Sequence, residues 1–358
     1  MMVRRAAVVS ALAVLLLAGC TQPPAPHTPV PAATTDRPVA AATPAPVRTG
    51  PVACADLARP EAVAALVGGE GTLQPLAHLQ PGFSPAGSPF GIVNANGTVC
   101  GWGGMSVLTA DHQGDPQVFL QIVPGLGAEW ATLASTTAPS AGSHYDGGVS
   151  LGGSCRSGYC STNVLVRGAW LSVDARAFGR ASFTEQAFHD FVQGVVTRYL
   201  AVPAPTPVAT HALRACTDPR LAQALTGSFG SAAPMDQGRA AFDLGLALSG
   251  AGLSTSCGFD DPQNVRRLGG TVAVLDEVDP GLFALYRQAV DQPEATPIDV
   301  SGLPGTATGL IEPTADSTRI VVDVLDGKTW LQVSTYQTND TAAVRSFAAK
   351  LIASGWIG

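Results

Sequence analysis

Residues Gly148-Val149-Ser150-Leu151-Gly152 spell the Gly-x-Ser-x-Gly pattern of a nucleophile elbow, which presents a serine hydroxyl at a strained turn between a strand and a helix. Gly153-Ser154-Cys155 and then a strand pattern follow, so the helix that an elbow needs is absent and Ser150 is expected to be non-catalytic. The counterpart in the second half, Asp299-Val300-Ser301-Gly302-Leu303-Pro304-Gly305, keeps no glycine before its serine. A second group is acidic: Asp276, Glu277 and Asp279 stand at a strand end, with Asp260-Asp261 close to Cys257. Two carboxylates can share acid–base work, and several can hold a hard cation. The first half carries Gln121, Ile122 and Val123 at this point, so a solvated strand terminus is the expectation. Cysteines and histidines could ligate zinc, but there is no Cys-x-x-Cys, and His27, His78, His112, His144, His189 and His211 show no His-x-x-x-His spacing. Cys155 and Cys160 belong to a hairpin loop and not to a helix N-terminus, where a thiolate would be stabilised, so thiol redox catalysis is not expected. No P-loop, dinucleotide-binding or kinase pattern occurs, and the sequence implies neither metal nor cofactor.

The elements that carry these residues come from an exported chain. Arg4 and Arg5 precede an apolar run from Ala6 to Leu16, and Leu17-Ala18-Gly19-Cys20 closes it with small residues before a cysteine. This is a secretory signal, too short to span a bilayer once cleaved. Its ending matches the bacterial lipobox, which implies a signal peptide over 1–19 and acylation of Cys20, with a palmitate-type membrane anchor. Acyl chains contribute about 0.8 kcal/mol per buried CH₂, so several would hold the protein on the membrane without a spanning helix. From 20 to 52 the chain is rich in Pro, Ala and Thr, and such a segment has too few donors and large apolar groups to fold. In polyproline conformation, at about 3 Å per residue, it would reach up to roughly 90 Å from the membrane.

Past residue 53 the chain repeats itself. Cys54 and Cys216 each precede a short helical pattern, with Pro60 and Pro219 in the first turn, Asp218 as N-cap, and Gly68-Gly69 and Gly227 at the ends. Cys100-Gly101-Trp102 is matched by Cys257-Gly258-Phe259. Apolar strands over 118–123 and 272–278 each lead to Pro-Gly and a helical stretch, 128–134 and 282–290. Then come hairpins, Val164-Leu165-Val166 turning at Arg167-Gly168 into Trp170-Leu171-Ser172-Val173, and 320–325 turning at Asp326-Gly327 into Trp330-Leu331-Gln332-Val333. Each half closes with an amphipathic helix. One bears Phe188, Phe191, Val192, Val195 and Tyr199 behind a capping box of Ser182 and Glu185; the other bears Val344, Phe347, Leu351 and Ile352, capped by Asn339 or Asp340. The Cys-Gly-aromatic cysteine lies 24 and 23 residues before the Pro-Gly proline, and 70 and 73 before the hairpin tryptophan. The domains expected are 53–201 and 211–358, joined by a Pro-rich linker over 202–210. Both are α+β, an antiparallel sheet with helices packed on one face. Trp170 and Trp330 read as core anchors, with ligand stacking as the alternative.

With Cys20 assigned to lipid, six cysteines remain and admit fifteen pairings. Equivalent cysteines should pair equivalently, which selects Cys54 with Cys100, Cys216 with Cys257, and Cys155 with Cys160. Export brings oxidising conditions in which such bonds persist. On the chain-entropy model a loop of some forty residues contributes about 4 kcal/mol and the short one about 2.

The lipobox, the Cys-helix start, the Cys-Gly-aromatic strand and the Trp hairpin before a terminal helix make each half resemble the small cell-envelope lipoproteins of actinobacteria, of the LprB and LprC type. A looser similarity extends to the extracellular sensor domains of actinobacterial receptor kinases. Sparse lysine, only Lys328 and Lys350, and abundant Ala, Gly, Pro and Val resemble the usage of a high-GC actinobacterium. The resemblance covers nearly all of the chain after residue 53 as two copies and supplies no functional residue; Cys155 and Cys160 occur in the first copy only. A net charge of -7 argues against a nucleic-acid partner. The expectation is a non-catalytic binding or sensing lipoprotein outside the membrane, its ligand a small molecule or an envelope protein. A structural or assembly role in the envelope is the second reading and serine hydrolysis a third.

Overall fold

The computed structural model describes residues 51–68, 89–103, 116–177, 183–212, 214–230, 232–235, 242–261, 268–290, 295–313, 318–336 and 338–357. Cys20, the signal, the tether up to residue 50, Gly69 and Ser182 lie outside them, as do His27, His78 and His112; Val52, expected to end the unfolded tether, is instead buried in the first half's core, and its carbonyl accepts from Thr98 Oγ1 at 2.8 Å.

The first half runs α1 (Cys54–Leu57), α2 (Pro60–Val67), α3 (Pro89–Asn94), β1 (Thr98–Gly103), β2 (Gln117–Val123), α4 (Gly127–Thr137), β3 (Val149–Arg156), β4 (Tyr159–Val166), β5 (Ala169–Arg176) and α5 (Glu185–Ala201). The second runs α6 (Pro219–Phe229), β6 (Ala233–Met235), α7 (Leu244–Gly250), β7 (Thr255–Asp260), β8 (Gly269–Leu275), α8 (Pro280–Val290), β9 (Thr296–Pro297), β10 (Thr306–Pro313), β11 (Thr318–Asp326), β12 (Thr329–Tyr336) and α9 (Thr341–Ala353). Both sheets are antiparallel, with strand orders β1-β2-β5-β4-β3 and β6-β7-β8-β12-β11-β10-β9. Without its edge strands β6 and β9, the second sheet has the order of the first.

Register carries the correspondence to single residues. Leu165 and Val123 flank Trp170, and Leu325 and Leu275 flank Trp330. Cys100 faces Leu120, and Cys257 faces Val272. All three disulfides are formed, Cys54–Cys100, Cys155–Cys160 and Cys216–Cys257, so the first half is stapled from the start of α1, and the second from the turn before α6, to its first long strand. Such bonds fit an oxidising, extracytoplasmic setting. No helix among the described residues is long and apolar enough to cross a membrane.

Strand alternation sends neighbouring side chains to opposite faces. Leu171 and Val173 join the core under α1, α2 and α5, while Leu331 and Val333 join the one under α6 and α9. Trp170 and Trp330 point the other way and seed two smaller cores, one with α4 and one with α8. The sheets are thus covered beyond the single face that the closing helices account for.

Local details differ from the sequence reading where tertiary contacts decide. Thr184 caps α5 by accepting from Ala187 N at 3.1 Å, in place of Ser182, and Asp340 caps α9 through Ala343 N at 2.9 Å. Helix α6 runs through Gly227 to Phe229 and ends at Gly230. The second hairpin turns at Gly327-Lys328, one residue later than expected, because Asp326 pairs with Thr329. Strand β8 stops at Leu275, and the Val278 N–H bonds Lys328 O instead of a sheet neighbour.

Candidate functional site

Two short helices that the sequence did not announce, α3 and α7, connect the halves. Phe90 of α3 enters the second half's core with Trp330, Tyr286 and Phe283. Its ring meets Tyr286 edge-on at 5.3 Å and Trp330 at 6.0 Å, and Asn94 Nδ2 donates to Asp276 O at 2.9 Å. Phe242 and α7 return the exchange. Phe242 lies 4.7 Å from Trp170 and 4.9 Å from Trp130, and Leu244, Ala247 and Leu248 pack beside them. Each half lends an aromatic arm to the other's tryptophan cage. The linker is held as well: Asn96 Nδ2 donates to Thr206 O at 2.8 Å, and Arg167 Nη1 donates to Val202 O at 3.0 Å.

Both tryptophans are fully buried, and neither lines the clefts described below, so they act as anchors of these cages. Each indole N–H needs an acceptor, and each finds it seven residues earlier across the hairpin. Trp170 Nε1 donates to Asn163 Oδ1 at 2.9 Å; Trp330 Nε1 donates to Asp323 Oδ1, also at 2.9 Å. The two acceptors occupy the same place in the repeat and differ in chemistry. Asp323 also receives Gln332 Nε2 at 2.9 Å and the Tyr286 hydroxyl at 2.9 Å, while Gln332 Nε2 donates to Tyr286 Oη at 2.8 Å. On the neighbouring strand β10, Glu312 is buried and receives Arg319 Nε at 2.9 Å through Oε2; its Oε1 has no hydrogen-bond partner among the described residues. Burial pushes the Asp323 carboxyl up to about 7, against the three donors that favour its ionised form, with Glu312 adding to the rise. Burial also raises Tyr286 well above its ordinary range, with Asp323 adding to it. Nothing in the sequence reading singled out Asp323. Its signal is a lone carboxylate in the apolar strand Ile320-Val321-Val322-Asp323-Val324-Leu325, on the same face as Trp330.

A cleft of about 500 Å³ opens in the second half where the end of β8, the start of α6 and the C-terminal segment meet. Arg214 grips Asp276 with both terminal nitrogens at 2.5 and 2.9 Å, and caps the carbonyls of Trp356 at 3.1 Å and Ile357 at 2.8 Å. Arg220 spans Asp218 and Gly355 O, and Lys328 pairs with Glu277 at 2.7 Å. Asp276 is therefore a half-sheltered partner of arginine and not a solvated strand end, while Asp279 caps α8 through Gly281 N at 2.6 Å. Asp260 faces Gly269 at the opposite end of β8, about 20 Å from Asp276 at the rise of a strand, so the two acidic groups do not converge. No group of three or more His, Cys, Asp or Glu side chains gathers among the described residues. The Trp356 indole N–H in the cleft's wall is buried without a partner among them.

A smaller cleft of about 120 Å³ lies beside the Cys155–Cys160 bond, with Tyr145 stacked on His189 at 4.9 Å. Ser150 is close by but sits within β3, where its hydroxyl and that of Thr162 are 3.2 Å apart. His189 directs Nε2 to His144 O at 2.8 Å. The motif's glycines have packing roles. A Cβ on Gly148 would come within 2.6 Å of Val164, and Gly152 at φ 67° opens the bulge between Leu151 and Ser154. Nearby, Tyr159 donates to Asp174 at 2.5 Å under the Arg176 guanidinium; burial raises that carboxyl too and pushes Tyr159 up to about 12.

Fold and site define a duplicated, disulfide-stapled α+β protein with two interlocked sheets. The chain matches no protein-family model, and the comparisons with curated proteins and with solved structures returned no significant match.

Proposed function

We propose that this chain is a lipid-anchored, extracytoplasmic binding or sensing lipoprotein that performs no catalysis of its own, in two domains over 53–201 and 211–358. The observation that carries the reading is the charged cleft. Six ionic side chains are held in pairs on strand ends, a helix start and the terminal carbonyls, a pre-organised surface for a polar ligand. At Ser150 the hydroxyl's neighbour is a threonine, which supports recognition over acyl transfer. The lipobox supports attachment through Cys20.

Two measurements test this. Metabolic labelling with a palmitate analogue should mark the wild type and leave Cys20→Ala unlabelled and released from membranes. The soluble portion should gain thermal stability from at least one member of a panel of amino acids, short peptides and sugar phosphates, and Lys328→Ala with Glu277→Ala should remove the gain. Equal labelling of the cysteine variant contradicts the anchor. A protein that no probe shifts, yet that co-purifies from membranes in a fixed complex, would support an assembly role instead.

A further inference from the structure

The one carboxylate that separates the two cages sits directly beneath the contact between the halves. Asp323 holds Tyr286 and Trp330 by hydrogen bonds, and these two rings form the seat of Phe90. The charged and titratable groups around it are few. Tyr286 comes from α8, Glu312 from β10 and Arg319 from β11; α3, with the sequence Pro-Phe-Gly-Ile-Val-Asn, brings none. Arg319 is already bonded to Glu312, so of the two buried carboxylates only one has a cation against it. Ionising Asp323 therefore puts an extra negative charge in a closed seat, where three neutral donors face it. Lifting the Phe90 arm would let water reach it.

We propose that Asp323 makes the docking of α3 and Phe90 proton-dependent: the arm is seated while the carboxyl holds its proton and is freed as the proton leaves. The inference rests on the binding or sensing reading, and it makes the proton one of the sensed ligands. Proton transfer here is a plain exchange with water, as Asp323 Oδ2–H gives its proton to solvent and the carboxylate accepts the Tyr286 hydroxyl. Linkage fixes the direction. A state that binds the proton more tightly is favoured as pH falls, and the closed seat is that state because it shields the carboxyl. The first cage is the internal control, since Asn163 accepts the same indole hydrogen bond and cannot ionise.

Hydrogen–deuterium exchange of the full-length lipoprotein in detergent micelles, expressed as protection factors, tests the inference. Between pH 4 and pH 8 the amides of Val93 to Gly97, which close α3, should lose at least tenfold in protection, while those of Leu246 to Gly250 hold constant. Asp323→Asn should abolish the change, since Asn163 shows that an amide suits this site. Phe90→Leu, a milder alteration of the arm, should lower the midpoint by loosening the seat. Flat α3 protection in the wild type, an unchanged slope in Asp323→Asn, or an unmoved midpoint in Phe90→Leu would overturn it. Loss of the palmitate label or of every polar-ligand shift would fail the binding reading without altering α3, so the two failures are distinguishable.

Discussion

The first cage holds Trp170 with Asn163, Trp130 and Phe242; the second holds Trp330 with Asp323, Tyr286, Phe283 and Phe90. Backbone register, indole hydrogen bond and borrowed aromatic arm are the same in both. What differs is whether the acceptor can carry a charge. The amide has satisfied its partner at no electrostatic cost, whereas the carboxylate requires three donors and still has its proton affinity raised by burial. Duplication thus supplies a neutral reference for a titrating site within one chain.

The contrast breaks most readily at the arms. Phe90 is buried and Phe242 only half-buried, so Phe90→Ala should lower unfolding free energy by about 3–5 kcal/mol and Phe242→Ala by clearly less. Urea titrations of the two variants would show it.

A pH series sharpens the contrast. The folded-state value of about 7 lies above the ordinary carboxylate value of 3.8, so the folded protein binds the extra proton. This contribution to stability is complete below about pH 4 and is lost as pH rises to 7, by up to roughly 4 kcal/mol. Asp323→Asn should flatten most of that slope. A remainder is expected from Asp174, which burial also raises.

The staples rank next. Replacing Cys54 and Cys100, or Cys216 and Cys257, by serine opens loops of sequence separation 46 and 41 and should cost about 4 kcal/mol each. Cys155 and Cys160 are five apart and should cost about 2 kcal/mol. The smallest effect is at the closing helices, where Thr184→Ala and Asp340→Ala each remove one cap and should cost about 1 kcal/mol in thermal melts.

Sequence carried the scaffold further than the site. The Cys-Gly-aromatic strands, the Trp hairpins and the apolar stripes of α5 and α9 are local patterns with clear periods, and the paired cysteines followed from the repeat. Helices α3 and α7 were missed because they are six and seven residues long, contain glycine and show no full helical period. Packing makes them helical: α3 places Phe90 in the second half's core and Ile92 in that of the first, and α7 places Leu244, Ala247 and Leu248 beside Trp170. The acidic run was visible, yet its partner Arg214 lies 62 residues from Asp276, and the link to the C-terminal carbonyls spans more than twice that. Asp323 was hidden by its strand: a single carboxylate among valines reads as noise until register puts it behind an indole.

The most direct test is to follow the Asp323 carboxyl carbon by NMR in aspartate-labelled protein, assigned through Asp323→Asn, from pH 3 to pH 9. A midpoint near 7 is predicted. A midpoint in the ordinary carboxylate range, near 4, would show that the second cage is as indifferent to protons as the first, and would contradict the account.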